Sequence, residues 1–98
     1  MTDNDKTADE PADELDGAKV IKWAWSGDRP FGLVGEIEIY GLAICRYDGS
    51  ADVYRFSCNK DWEVQQDGLY NSIDEAIERL PDQYRSVNAT WVNKISSE

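Results

Sequence analysis

LVGEIEIYGLAICRYD, residues 33–48, carries two alternating apolar runs that are out of phase, and that mismatch decides how the chain folds. Glu36 and Glu38 alternate with Ile37 and Ile39, the two-residue period of a strand with one wet and one dry face. After Gly41 the larger apolar residues, Leu42 and Ile44, fall on the opposite parity. An unbroken strand would then turn an apolar set to water. Either Gly41 marks a bulge or bend that returns Leu42 and Ile44 to the core, or the stretch is two separate strands.

Working outward, the same period recurs on both sides. Residues 19–25 alternate Ile21, Trp23 and Trp25 with Lys22 and Ala24, followed by turn chemistry in SGDRP at 26–30. Downstream, Asp48-Gly49-Ser50 is a hairpin signal, and VYRFSC at 53–58 places Tyr54, Phe56 and Cys58 on one face. A turn at Asn59-Lys60-Asp61 leads to Trp62 and Val64, which share a face. These segments describe an antiparallel meander.

The periodicity then changes. Ser72-Ile73-Asp74-Glu75 has the form of a capping box, with Tyr70 placed to help fix the entry of the chain. Behind it Ile73, Ala76, Ile77, Leu80 and Tyr84 fall on one helical stripe. Proline inside a continuous helix costs about 3 kcal/mol, so Pro81 ends or kinks the helix and opens another turn. Thr90-Trp91-Val92 reads as a short last strand. The expected fold is α+β: an antiparallel meander of four to five strands with one helix packed on one face, in the order ββββ-α-β. A single core is expected from Trp23, Ile37, Ile39, Phe56, Ile73, Ile77 and Leu80.

Charge divides the chain unevenly. Seven of the twenty acidic residues fall in the first 17 positions against Lys6 alone, so −6 of the net −10 sits there, beside one large apolar side chain after the initiator Met, Leu15. Such a segment does not offset an ordering entropy of roughly 1–2 kcal/mol per residue. Residues 1–17 are therefore expected to be a disordered acidic tail, and residues 18–98 a single domain. All eleven aromatic residues lie in that domain, which gives a small chain a dense core.

Composition also narrows function. The chain has no histidine, which removes the ordinary neutral-pH base, Ser/His and Cys/His nucleophiles and histidine metal sites. Two cysteines are too few for a disulfide framework and match no metal or redox spacing, so they read as core thiols. There is no glycine-rich phosphate loop and no calcium-loop pattern. Glu36 and Glu38 share a strand face, but acids alternating with isoleucine read first as a solvated surface rather than an acid/base dyad. Asp48 and Asp52 flank a hairpin turn. No catalytic, cofactor-binding or metal-ligating residue is assigned, and a non-enzyme is expected. Without a basic-then-apolar leader or an apolar run near ~20 residues, no membrane contact is expected and the cytoplasm is the expected compartment. The nine Lys and Arg after residue 17 are scattered among thirteen acids, which disfavours direct nucleic-acid binding.

An acidic domain fits a basic protein partner, such as a nuclease with a cationic substrate groove. Glu36, Glu38, Asp48, Asp52, Asp61 and Glu63 are the candidate contact charges, with exposed Trp or Tyr as anchors. The stretch YRFSCNKDWEV at 54–64, followed after Tyr70 by SIDEA at 72–76, resembles a strand-turn-strand-helix cassette in small bacterial domains, some of them immunity proteins of toxin systems. That resemblance implies a cytoplasmic, non-enzymatic protein that binds and blocks a toxin. The alternative is a monomeric housekeeping domain whose acidity only maintains solubility.

Overall fold

The computed structural model describes residues 10–81, 84, 87 and 89–94. Ahead of the helix lie β1 (Glu14–Leu15), β2 (Ala18–Trp25), β3 (Gly32–Val34), β4 (Ile37–Ile39), β5 (Gly41–Arg46), β6 (Val53–Cys58) and β7 (Val64–Tyr70). The short helix α1 (Ile73–Glu78) and β8 (Val92–Asn93) follow. The protein is mostly β: a curled antiparallel six-stranded sheet in the order β1-β2-β5-β6-β7, with β8 also on β2 and α1 as the one α-helix among the described residues. Strands β3 and β4 form a separate hairpin between β2 and β5.

The phase mismatch at Gly41 resolves as two strands. The chain breaks at Tyr40, whose N–H donates to Cys58 O (2.9 Å) and whose carbonyl accepts from Ser26 N (2.9 Å). That single irregular residue lets Ile39 and Leu42 enter one buried cluster despite opposite parity. A second parity change lies in β2, where the register with β5 slips between Val20 and Lys22. Val20 and Trp23 therefore share one face, while Ile21 packs on the other. The expected common face of Ile21, Trp23 and Trp25 is corrected accordingly, because the bulge at Ile21 inverts the alternation.

The sheet consequently buries apolar side chains on both faces rather than around one core. One face holds Ala18, Val20, Ala43, Cys45, Phe56 and Cys58, joined by Leu15, Trp23, Tyr54 and Trp62. The other holds Ile39, Leu42 and Tyr84 in one cluster, with Leu80 against it, and Ile44, Val53 and Ala76 in a second, with Ile73 and Ile77 against it. The expected single core is thus split, and Ile37 leaves it altogether at 43% exposure.

Helix α1 begins as its cap predicts, with Glu75 N donating to Ser72 Oγ (3.1 Å). The Glu75 carboxylate reaches back one residue further than a capping box requires, accepting from Asn71 N (2.7 Å). No basic residue occupies its last turn. Instead buried Arg55, from β6, donates to Ala76 O (2.6 Å) and lies over the Tyr70 ring at 4.7 Å, placing a cation at the negative helix end. Pro81 ends this region, and Tyr84 N donates back to Pro81 O.

Part of the segment expected to be a disordered tail, residues 1–17, belongs to the sheet. Residues 1–9 lie outside the described residues, but Glu14 and Leu15 form β1, Pro11 is fully buried, and Val20 N donates to Asp13 O. Lys94 holds this segment in place: its ammonium contacts Asp13 (2.8 Å) and Glu10 (3.0 Å), and its N–H donates to the carbonyl of the bulged Ile21. Composition missed this because the order comes from pairing rather than from residue type: β2 binds residues 13–15 through the backbone, and Lys94, about eighty positions away, holds Asp13 and Glu10.

Candidate partner-binding site

The β3–β4 hairpin turns at Gly35, whose φ of 62° lies in the left-handed region that glycine tolerates. Leu33 pairs with Glu38 and Val34 with Ile37. Buried Ile39 and half-buried Val34 root the hairpin in the core, while Leu33 (52%) and Ile37 (43%) stay exposed.

Facing it is the turn between β6 and β7, which Asn59 organises. Its Oδ1 accepts from Asp61 N and Glu63 N (both 2.9 Å), its Nδ2 donates to Glu63 Oε1 (2.8 Å), and its carbonyl accepts from Trp62 N (3.0 Å). These bonds hold Trp62 at φ 64°, a costly conformation for a bulky residue. The indole lies against Gly41, between Trp25 (5.6 Å between centroids) and Trp23 (6.3 Å). Trp25 also packs on Tyr40 at 5.7 Å. Tyr40 is thereby backed by interlocked tryptophans.

Between the hairpin and the turn lies a cleft of about 370 Å³. Glu36, Glu38 and Asp61 line it, with Leu33, Ile37 and Tyr40 supplying apolar surface and Lys60 as the one cation among the described lining residues. The Lys60 ammonium sits 5.4 Å from the centre of the Tyr40 ring. Three carboxylates against one ammonium leave the cleft negative. Exposed acids next to exposed leucine and isoleucine give the cleft a surface that is negative and partly apolar.

The six candidate acids thus separate. Glu36, Glu38 and Asp61 converge on the cleft, and Glu63 stands at the same turn with its carboxylate held by Asn59. Asp48 and Asp52 lie at the β5–β6 hairpin, about 20 Å away along β5. There Asp48 shares a second cleft of about 380 Å³ with Lys19, Arg46 and Lys94, and Asp52 N donates to Ser50 Oγ. Alternation alone misses Ile37 and Leu33 as surface residues. The signal that finds them is Gly35-Glu36, a two-residue turn between apolar pairs.

Both cysteines are buried free thiols. Burial, aided by Asp16 at Cys45 and by Cys45 and then Asp16 at Cys58, pushes both thiols up to about 12, which favours their protonated forms at neutral pH. Among the described residues no three Asp, Glu or Cys side chains group closely enough to share a metal ion, and no helix is long and apolar enough to cross a membrane. Comparison of the chain with protein families, curated proteins and solved structures finds no match.

Proposed function

We propose that this chain is a non-enzymatic acidic binding protein that sequesters or inhibits a basic protein partner. The observation that carries the reading is the convergence of Glu36, Glu38 and Asp61 on one cleft beside exposed Leu33, Ile37 and the rigidly backed Tyr40. Apolar side chains supply contact area at the centre of such a surface, while the carboxylates steer a cationic partner and reject an acidic one. The net charge of −10 extends that steering over the molecule. Steric and electrostatic occlusion needs no catalytic group, and a histidine-free chain offers few. A cytoplasmic toxin or nuclease whose own groove is cationic is the partner class that fits, the inhibitor acting as a monomer, in the manner of an immunity protein or a nucleic-acid mimic, without touching nucleic acid or membrane.

The test is a pull-down from the native cytoplasm, followed by stopped-flow association with the purified partner. Screening at ~0.15 M salt limits exposed charges to about 8 Å, so the association rate falls steeply as salt rises. Replacing Glu36, Glu38 and Asp61 by their amides slows association and leaves the melting temperature unchanged. Recovery of only neutral or acidic partners, bound independently of salt, leaves solubility as the sole role of the acidity and sinks the proposal.

A further inference from the structure

The two outer edges of the six-stranded sheet are finished differently. The β2 edge is covered by β1 and β8, and Lys94 satisfies the carbonyl of the bulged Ile21. Among the described residues no strand pairs with the outer edge of β7, and residues 64–70 make no backbone hydrogen bond except to β6. Proteins usually blunt an open edge with lysine, proline or a bulge, or cover it. Strand β7 reads VQQDGLY, with neither lysine nor proline. Its one irregularity lies at its start, opposite Ser57 and Cys58, so residues 66–70 keep one-to-one register with β6 over about 17 Å.

What covers this edge is indicated by charge. Residues 61–75 contain five acids and no Lys or Arg. Asp67 and Leu69, opposite Phe56 and Tyr54, point to the same sheet face, and both are exposed, Leu69 by 56%. A second copy pairing antiparallel here would bring acid toward acid.

We propose that the β7 edge receives an extended cationic segment of the partner as an added strand, with a Lys or Arg beside Asp67 and a large apolar side chain two residues along, beside Leu69. This docking mode presupposes the basic partner proposed above. Backbone hydrogen bonds along residues 66–70 supply affinity that is indifferent to sequence, and the Asp67/Leu69 pair supplies the preference. Residues 61–63 join β7 to the acidic cleft, so an added strand is continuous with a segment lying in it.

The test uses the full chain and a capped hexapeptide, Thr-Lys-Thr-Val-Thr-Lys, beside its counterpart with Glu in place of Lys. Amide exchange and chemical shifts are followed by NMR at millimolar peptide. The expected result is slowed exchange at alternate amides of residues 66–70 with the Lys peptide only. Asp67→Lys, an exposed change that leaves the fold intact, weakens the Lys peptide about tenfold and admits the Glu peptide. Shifts confined to Glu36, Glu38 and Asp61 overturn strand addition while leaving the binding function standing. No response to either peptide overturns it as well. Protection of residues 66–70 that rises with protein concentration and needs no peptide assigns the edge to self-pairing and overturns the cationic occupant.

Discussion

Replacing Gly41 by alanine probes the packing that positions the cleft. A Cβ at this position meets three carbons of the Trp62 ring at 2.6, 2.6 and 2.9 Å, about 1 Å inside an ordinary carbon contact. Along the sheet the ring has little freedom to yield, since Asn59 fixes its backbone and Trp23 and Trp25 flank it, so relief comes only toward solvent. Overpacking of this kind costs about 1–3 kcal/mol, and each disturbed aromatic pair adds about 0.5–1.5 kcal/mol. Because Trp62 is half-exposed and swings partly outward, the expected loss is about 2–3 kcal/mol. In a domain of this size that lowers the melting temperature by roughly 10–20 °C. Urea unfolding followed by tryptophan fluorescence measures it. The decisive comparison is made in a Trp62→Ala background. Gly41 is not at positive φ, so with the indole gone alanine suits the strand better than glycine by about 0.5–1 kcal/mol, and the sign of the effect reverses. Equal costs in the two backgrounds would refute the proposed contact.

Further perturbations test other parts of the fold. Arg55→Met removes the donor to Ala76 O and the cation over Tyr70, and is expected to cost about 1–3 kcal/mol with faster amide exchange in residues 73–78; unchanged exchange there disproves the capping role. Native Cys45 and Cys58 should resist alkylation at pH 8, since a thiol at about 12 is ionised in only about one molecule in ten thousand. Both thiols are raised from 9.0, so their neutral forms favour the fold; that stability is complete below pH 9 and is lost as pH rises toward 12, and a flat stability curve there contradicts the burial. Ser72→Ala should cost about 0.5–2 kcal/mol, and Ile77→Ala about 1–2 kcal/mol because Ile77 is only half-buried. An Ile77→Ala protein as stable as its parent means that α1 does not pack on the sheet.

What the sequence discloses depends on how local each cause is. Ser72 and Glu75 cap α1 through neighbours three and four residues away, so the cap is readable from four letters. The conflict of phase between Ile39 and Leu42 is also readable, although only Tyr40's bonds to Ser26 and Cys58 choose a strand break over a bulge. Nothing in residues 19–25 announces the slip at Ile21, because its carbonyl is satisfied by Lys94. Acid at 14 followed by leucine at 15 looks like solvated chain until β2 pairs with it. For the cleft, the residue types were legible and their grouping was not. Glu36 and Glu38 meet Asp61 only because the hairpin folds toward the Asn59 turn, while Asp48 and Asp52 are carried to the opposite end of β5.

The closure of the β2 edge by β1 and β8 also sets the order in which the molecule assembles. Asp13 and Lys94 stand 2.8 Å apart yet are separated by 81 positions, so their contact closes a loop that spans most of the described chain. Loop closure grows costlier with length, and non-local pairings of this kind slow folding. The β5-β6-β7 meander and α1, whose partners are near in sequence, are free to form first. During synthesis β1 can pair with residues 18–19 as soon as they are made, whereas the edge at Lys22 and Trp23 stays open until residues 92–94 follow. Until that closure the growing chain carries a second open stretch beside the outer edge of β7, counted among the described residues.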